Sequence, residues 1–112
     1  MKKLLIFCLF IAPFALTAQN NKNEKISFEV SGNCEMCKKR IEKAALTVKG
    51  VKTASWDIPS NVISLIYDSN KVPLQDVQTA IAQAGHDTPL SKAPEAIYNE
   101  LPMCCLYKRT IE

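Results

Sequence analysis

The chain has 112 residues and a formal net charge of +3, with hydrophobic residues at 47% and charged residues at 22%. This length predicts one compact domain and excludes a large multidomain enzyme. The composition excludes a mainly disordered chain, and the mild positive charge argues against a nucleic-acid-binding protein.

The first segment, residues 1–18, has the pattern of a secretory signal peptide. A basic start at Lys2 and Lys3 precedes an apolar run, and small or polar residues follow from Thr17. We predict cleavage after Ala18, export to the periplasm or the outside, and no membrane span in the rest of the chain. The apolar run is shorter than the roughly 20 residues that cross a bilayer, which disfavours the alternative of a membrane anchor.

A strand is predicted near the start of the exported chain. Residues 19–24 are polar and lack periodicity, so we expect a flexible lead-in there. From Lys25 onwards, Ile26, Phe28 and Val30 alternate with polar residues, which is typical of a half-buried strand.

Two helices and three further strands are predicted after that strand. Apolar residues recur at helical spacing from Cys37 to Val48, so we expect a helix that ends near Gly50. Two strands and a helix that stops at Gly85 come next, and a short strand is predicted at residues 86–90. The residues expected to face the core are Ala54, Trp56 and Ile58, then Ile63, Leu65 and Tyr67, then Leu74, Val77, Ile81 and Ala84 of the second helix.

This order of elements predicts an α+β fold. We expect a ferredoxin-like βαββαβ sandwich at residues 25–90, with a four-stranded antiparallel sheet and both helices on one face. Residues 91–112 form a C-terminal extension whose apolar content predicts packing on the domain. Residues 94–101 are expected to form a short helix within it.

Cys34 and Cys37 form a candidate metal site where the first strand turns into the first helix. Two residues three apart at a helix start lie on nearly the same side of the chain. The helix N-terminus favours the thiolate, which is the form that binds metal. A thiolate pair suits a soft ion of low coordination number such as Cu(I), whereas Zn(II) prefers about four ligands.

Residues 25–90 resemble the heavy-metal-associated domain of copper chaperones, metal-transporting P-type ATPases and periplasmic mercury-binding proteins. The motifs that carry the resemblance are Cys34-x-x-Cys37, Gly50-Val51, Tyr67-Asp68 and Ala84-Gly85-His86. The usual loop of the family is Gly-Met-Thr-Cys-x-x-Cys, whereas Gly32-Asn33-Cys34 is one residue shorter and lacks the Met.

The signal-peptide pattern and the resemblance together imply an exported metal-binding protein that is not an enzyme. It would hold Cu(I), or alternatively Hg(II) or Zn(II), between Cys34 and Cys37 for scavenging or for transfer by ligand exchange. Its partner would be another metal-transport or efflux protein.

Three other interpretations of Cys34 and Cys37 stay open. In one, the pair cycles as a periplasmic thiol–disulfide redox centre and Cys104 or Cys105 resolves it. In another, the two cysteines are a local disulfide or core thiols. In the third, the domain is an interaction module that needs no metal.

His86 is a candidate accessory ligand, because the fold would bring it to the same end of the sheet as the cysteine pair. It could donate a neutral ring nitrogen or gate exchange with a partner. The alternative is a surface histidine hydrogen-bonded to Asp87 or to the backbone.

Cys104 and Cys105 are the unusual feature of the extension. Adjacent side chains point apart on a strand or a helix, so both are not expected at the ion of Cys34 unless the backbone turns sharply. One of them could add a third thiolate or form a disulfide when metal is absent. The alternative is one buried structural cysteine with an incidental neighbour.

Other soft or charged side chains surround the cysteine pair in the sequence. Met36 and Met103 are candidate thioether ligands, although methionine is more often a packing residue. The basic run Lys38-Lys39-Arg40 either guides docking to an acidic partner or forms a solvated helix face.

Overall fold

The computed structural model describes residues 23–111, so the signal peptide predicted at residues 1–18 lies outside the described part. The elements in chain order are β1 (Asn23–Glu29), α1 (Glu35–Leu46), β2 (Val51–Asp57), β3 (Val62–Asp68), α2 (Leu74–Gln83), α3 (Glu95–Asn99) and a 3-10 turn at Met103–Cys105. The first strand begins at Asn23, two residues before the predicted start at Lys25.

The described sheet has three antiparallel strands in the order β1-β3-β2. Ile26 of β1 pairs with Leu65, and Trp56 of β2 pairs with Ile63, which aligns the apolar side chains on one face. Trp56, Ile63 and Leu65 are buried on that face together with Tyr67. The alternation seen in the sequence therefore sets which face of the sheet meets the helices.

The fourth strand expected at residues 86–90 is not formed in the described chain, and that prediction is wrong. One ladder-like bond remains, in which the N–H of Ser31 donates to the carbonyl of Asp87 over 3.1 Å. The other polar groups of the segment find different partners. The His86 ring bonds the Ser31 carbonyl over 2.8 Å, and the N–H of Asp87 donates to the Tyr107 hydroxyl over 3.0 Å. These bonds replace a fourth ladder.

Both predicted helices are present and pack on the buried face of the sheet. The core joins Ile41 of α1 and Ile81 of α2 to Leu65 of β3. α1 ends at Leu46, and Gly50 lies in the turn that leads from it into β2, with a φ of +107°. A Cβ at this position would collide with a methyl of Val72. Only glycine fits this backbone geometry and this close approach.

The C-terminal extension packs on the domain, as its apolar content predicts. Leu101, Cys105 and Tyr107 are buried members of the same hydrophobic core. The short helix expected at residues 94–101 is present as α3, which covers Glu95–Asn99. Residues 23–111 contain no helix both long and apolar enough to cross a bilayer.

Candidate metal centre

Cys34 and Cys37 lie together where α1 begins, as their spacing predicts. Cys34 precedes the helix in an extended conformation, and Cys37 lies in its first turn. Their Sγ atoms are 3.7 Å apart, and both thiols are free. Cys37 is fully buried and Cys34 is half-buried, so one thiol faces the core and the other borders solvent.

The two thiols differ in acidity because they differ in environment. Hydrogen bonding from the backbone N–H of Cys37 lowers the pKa of Cys34 to about 7, against the opposing effect of burial. Burial raises the pKa of Cys37 to about 12, although the N–H of Asn33 donates to its sulfur over 3.4 Å. Cys34 is therefore the thiol of the pair that ionises first.

Trp56 packs against the cysteine loop, the segment 30–37 that leads from β1 into α1. The sequence predicts that Trp56 is a core residue but does not indicate this contact. Its indole N–H donates to the carbonyl of Val30 over 3.0 Å. A Cβ at Gly32 would lie 3.0 Å from the edge of the indole ring and 3.1 Å from the Cβ of Cys37. The backbone of the loop thus rests directly on the ring, which fixes its height above the core.

His86 is fully buried, which differs from the surface alternative. Its Nδ1 donates to the carbonyl of Ser31 over 2.8 Å, so Nε2 carries the lone pair and has no hydrogen-bond partner within residues 23–111. The ring stacks on Tyr107 with centroids 5.4 Å apart. Burial lowers the pKa of His86 to about 4, so the ring is neutral at ordinary pH.

Cys104 and Cys105 are both brought to Cys34, which differs from the expectation that adjacent cysteines point apart. The Sγ of Cys105 lies 3.8 Å from the Sγ of Cys34 and 3.9 Å from that of Cys104. The three sulfurs all lie within 4.8 Å of one another. His86 does not belong to this group, which is the only such cluster of potential metal ligands in residues 23–111.

Two of the three residues in the basic run on α1 make contacts within the domain. Lys38 pairs with Glu42 and donates to the carbonyl of Trp56 over 3.0 Å. Arg40 donates to the sulfur of Cys105 over 3.2 Å, which places a positive charge beside the thiol cluster. Lys39 is exposed, so the docking interpretation rests on fewer free charges than the sequence indicates.

Three residues that hold the extension in place were missed by sequence reasoning. Arg109 makes a two-point ion pair with Asp87, and the Tyr107 hydroxyl donates to the carbonyl of Gly85 over 2.7 Å. In the sequence, Arg109 follows Lys108 as an ordinary basic pair, and Asp87 merely follows His86. No local signal marks partners about twenty residues apart.

Residues 27–87 match the family described as the heavy-metal-associated domain. The chain is 31% identical over 55 residues to the copper chaperone CopZ of Staphylococcus haemolyticus, covering 49% of this chain and 81% of that protein. The copper chaperone CopZ of Staphylococcus aureus matches with the same identity and coverage.

Solved structures give the same relationship. A CopZ metallochaperone superposes with a TM-score of 0.56 and 29% identity, covering 58% of this chain and 98% of that one. A copper binding domain from HMA7, a P-type ATPase, has a TM-score of 0.56 and 31% identity, over 60% and 90% of the two chains. Oxidized MerP from Ralstonia metallidurans CH34 shares the fold, with a TM-score of 0.51, 22% identity, and coverage of 58% and 94%.

The family match ends at residue 87, so Cys104 and Cys105 lie beyond it. The matched segment holds the cysteine pair, Gly50 in the turn between α1 and β2, the end of β1 and the whole of β2 and β3. The resemblance read from the sequence is thereby confirmed, and the chain belongs to the heavy-metal-associated domain family.

Proposed function

We propose that the protein is an exported copper-binding protein that takes up Cu(I) between Cys34 and Cys37 for scavenging or transfer. The observation that carries the proposal is the 3.7 Å approach of their Sγ atoms at the start of α1. The copper chaperones and copper binding domains among its relatives support copper as the cargo.

The donor set favours a soft ion. Thiolate sulfur selects Cu(I) over hard cations, and two sulfurs satisfy the low coordination number of that ion. Zn(II) in closed sites takes about four ligands, which Cys34 and Cys37 alone do not supply. Hg(II) shares the preference for sulfur and is the competitor that a selectivity measurement has to include.

The asymmetry of the two thiols suits ligand exchange. Cys34 ionises first and borders solvent, so it makes the first bond to an ion delivered at the surface. Cys37 then closes the site from the buried side and releases its proton as it binds. Transfer runs in reverse when an incoming thiolate bonds the ion before Cys37 leaves.

Titration of the reduced protein with Cu(I) under anaerobic conditions, against a chelator of known affinity, tests the proposal. We expect tight binding that the Cys34→Ser/Cys37→Ser variant loses while its metal-free fold persists. The exposed Ser27→Ala variant, on the outer face of the sheet, is a control for handling and should bind as the wild type does.

Two outcomes would contradict the proposal. Equal Cu(I) affinity in the double variant would show that the site is elsewhere. Absence of competitive binding in the wild type would instead favour the thiol–disulfide interpretation, and measurement of the reduction potential of the Cys34–Cys37 pair would follow.

Export is tested separately, by expression of the full chain with its first 18 residues and sequencing of the N-terminus of the recovered protein. We expect the processed form in the periplasmic fraction and a new N-terminus near Gln19. Recovery of the intact chain from the cytoplasm would contradict export and leave the metal site untouched.

A further inference from the structure

The C-terminal extension brings two more thiols against Cys34. From the sulfur of Cys34, the sulfur of Cys37 lies at 3.7 Å and that of Cys105 at 3.8 Å. Cys34, Cys104 and Cys105 form a group whose sulfurs all lie within 4.8 Å of one another. These separations equal ordinary contact between sulfur atoms, so no single distance indicates a metal. What indicates one is the convergence of three thiols, two of them seventy residues distant in sequence from the third.

A sharp backbone turn makes this convergence geometrically feasible. The N–H of Cys105 donates to the carbonyl of Pro102 over 2.7 Å, and the N–H of Tyr107 donates to the carbonyl of Cys105 over 2.8 Å. The resulting 3-10 turn at Met103–Cys105 is a single tight turn and not part of a longer regular element. Within it the sulfurs of Cys104 and Cys105 lie 3.9 Å apart, and both lie within 4.8 Å of the sulfur of Cys34.

Hydrogen bonds and an ion pair hold this turn against the cysteine loop and against the rest of the domain. The side-chain amide of Asn33 donates to the carbonyl of Cys104 over 3.3 Å. Beyond the turn, Tyr107 is buried, and Arg109 pairs with the buried carboxylate of Asp87. The extension is thus held over the loop from both sides, and little ordering is left for a ligand to impose.

The side chains around the cluster favour the thiolate form of its cysteines, which is the form that binds a soft metal ion. Arg40 donates to the sulfur of Cys105 over 3.2 Å and offsets part of the negative charge of several thiolates. The thiol of Cys104 lies 3.5 Å from the thioether of Met36, so sulfur surrounds the exposed side of the cluster as well. Both contacts are made by a cysteine of the C-terminal extension, which lies beyond the segment that matches the family.

We propose that Cys34, Cys104 and Cys105 form a three-thiolate centre that retains the ion first taken up by Cys34 and Cys37. Three sulfurs in a plane around one ion, each at the roughly 2.3 Å of a zinc–thiolate bond, would lie about 4.0 Å apart. The Cys34–Cys105 and Cys104–Cys105 sulfur distances of 3.8 Å and 3.9 Å are close to this value. Cys37 lies outside the group of three, which favours a three-coordinate ion over a tetrahedral one.

The step is an exchange of ligands within one molecule. The bond from Cu(I) to Cys37 breaks, and Cys104 and Cys105 each release a proton and bond the ion, so the ion passes from two ligands to three. One of the two protons returns to Cys37 and the other goes to solvent. Copper stays in the +1 state throughout. The extension thereby occupies the position that an incoming thiolate of a partner needs, so it slows release and favours scavenging over hand-over.

This inference rests on the proposed function, and X-ray absorption of the Cu(I)-loaded protein separates the two. We expect three sulfur neighbours in the wild type and two in the Cys104→Ser/Cys105→Ser variant. The Cys37→Ser variant should keep three. Met103→Ser, an exposed neighbour in the same turn, is the matched control and should keep three as well.

Affinity and release give a second readout on the same proteins. Loss of both tail thiols should weaken Cu(I) binding by about 100-fold, since even partners outside a coordination sphere contribute about 10–100-fold. Transfer to a competing thiol should become correspondingly faster. Unfolding of the metal-free variants by denaturant shows whether the turn itself survives the substitutions.

Different results would overturn the two proposals. Two sulfur neighbours in the wild type, with release unchanged in Cys104→Ser/Cys105→Ser, would refute the three-thiolate centre and leave the Cys34–Cys37 site intact. Failure of the wild type to bind Cu(I), or equal binding by Cys34→Ser/Cys37→Ser, would refute the proposed function itself.

Discussion

Arg109 and Asp87 form a two-point ion pair that joins the C-terminal extension to the segment after α2. Nε of Arg109 donates to Oδ2 over 2.9 Å, and Nη2 donates to Oδ1 over 2.7 Å. The carboxylate is fully buried and also accepts from the N–H of Ala93 over 2.8 Å. Burial alone would raise the pKa of Asp87, but Arg109 and this N–H outweigh it and hold the pKa below its usual value.

Replacement of Arg109 by Gln should destabilise the fold by about 3–5 kcal/mol, because it leaves a buried carboxylate without its partner. Chemical denaturation at pH 7 measures the loss. Lys108→Gln removes the same charge from an exposed neighbour and should change stability little. Equal effects of the two substitutions would show that net charge, and not the pair with Asp87, is what matters.

The hydroxyl of Tyr107 satisfies two buried backbone groups at once. It accepts from the N–H of Asp87 over 3.0 Å and donates to the carbonyl of Gly85 over 2.7 Å. Tyr107→Phe keeps the ring but leaves both groups without a partner, so we expect a loss of about 2–4 kcal/mol. Tyr98→Phe removes a single bond, to the carbonyl of Tyr107, and should cost less. A cost for Tyr107→Phe no larger than for Tyr98→Phe would contradict this account.

The strands, the helices and the cysteine pair could be predicted because local signals encode them. Alternation places Ile63 and Leu65 on one face, and a spacing of three brings Cys34 and Cys37 together at a helix start. These relationships depend only on the repeat of a strand or a helix. The same reasoning holds for the turn at Gly50 between α1 and β2, where a φ of +107° favours glycine.

The position of the extension and the missing fourth strand could not be predicted in this way. The approach of Cys105 to Cys34 depends on a turn that Tyr107 and Arg109 anchor through partners far away in sequence. Rules for adjacent side chains apply to regular strands and helices and fail in such a turn. The His86 ring bonds the carbonyl of Ser31, which is then not available to a fourth strand. The hydropathy pattern of the sequence does not indicate this hydrogen bond.

His86 should make the metal-free protein less stable in mild acid. Its pKa is lowered to about 4, chiefly by burial and further by Arg40, while the Ser31 carbonyl and Asp87 act in the opposite direction. The unfolded chain binds a proton below about pH 6.5, whereas the folded chain stays neutral until about pH 4. Stability is therefore complete above that window and is lost as the pH falls through it.

Denaturation of the wild type at pH 7.5 and pH 5 should show a loss of about 2 kcal/mol at the lower pH. His86→Gln removes the titrating ring, so its stability should vary much less between the two conditions, whatever its absolute value. The quantity to compare is the change in the free energy of unfolding between the two pH values. It does not depend on how much the substitution itself destabilises the fold. A change as large in His86→Gln as in the wild type would assign the acid sensitivity to another group.

Alkylation rates should follow the ionisation of the thiols more closely than their exposure. Cys104 is exposed, but hydrogen bonding with Cys34 raises its pKa to about 11, whereas the pKa of half-buried Cys34 is lowered to about 7. At pH 7.5 about three quarters of Cys34 is thiolate, and a negligible share of Cys104 is. A time course with iodoacetamide, in reduced protein with metal chelated, should therefore modify Cys34 first by a factor of about ten or more.

The Cys34→Ser variant tests whether the raised pKa of Cys104 or the accessibility of its thiol limits its alkylation. Removal of Cys34 removes the group that chiefly raises the pKa of Cys104, so Cys104 should react faster in the variant than in the wild type. Its exposure is expected to change little, because the hydrogen bond from the side-chain amide of Asn33 to the carbonyl of Cys104 remains. Peptide mass spectrometry resolves the modified sites. An unchanged Cys104 rate in the variant would mean that access, and not its coupling to Cys34, limits the reaction.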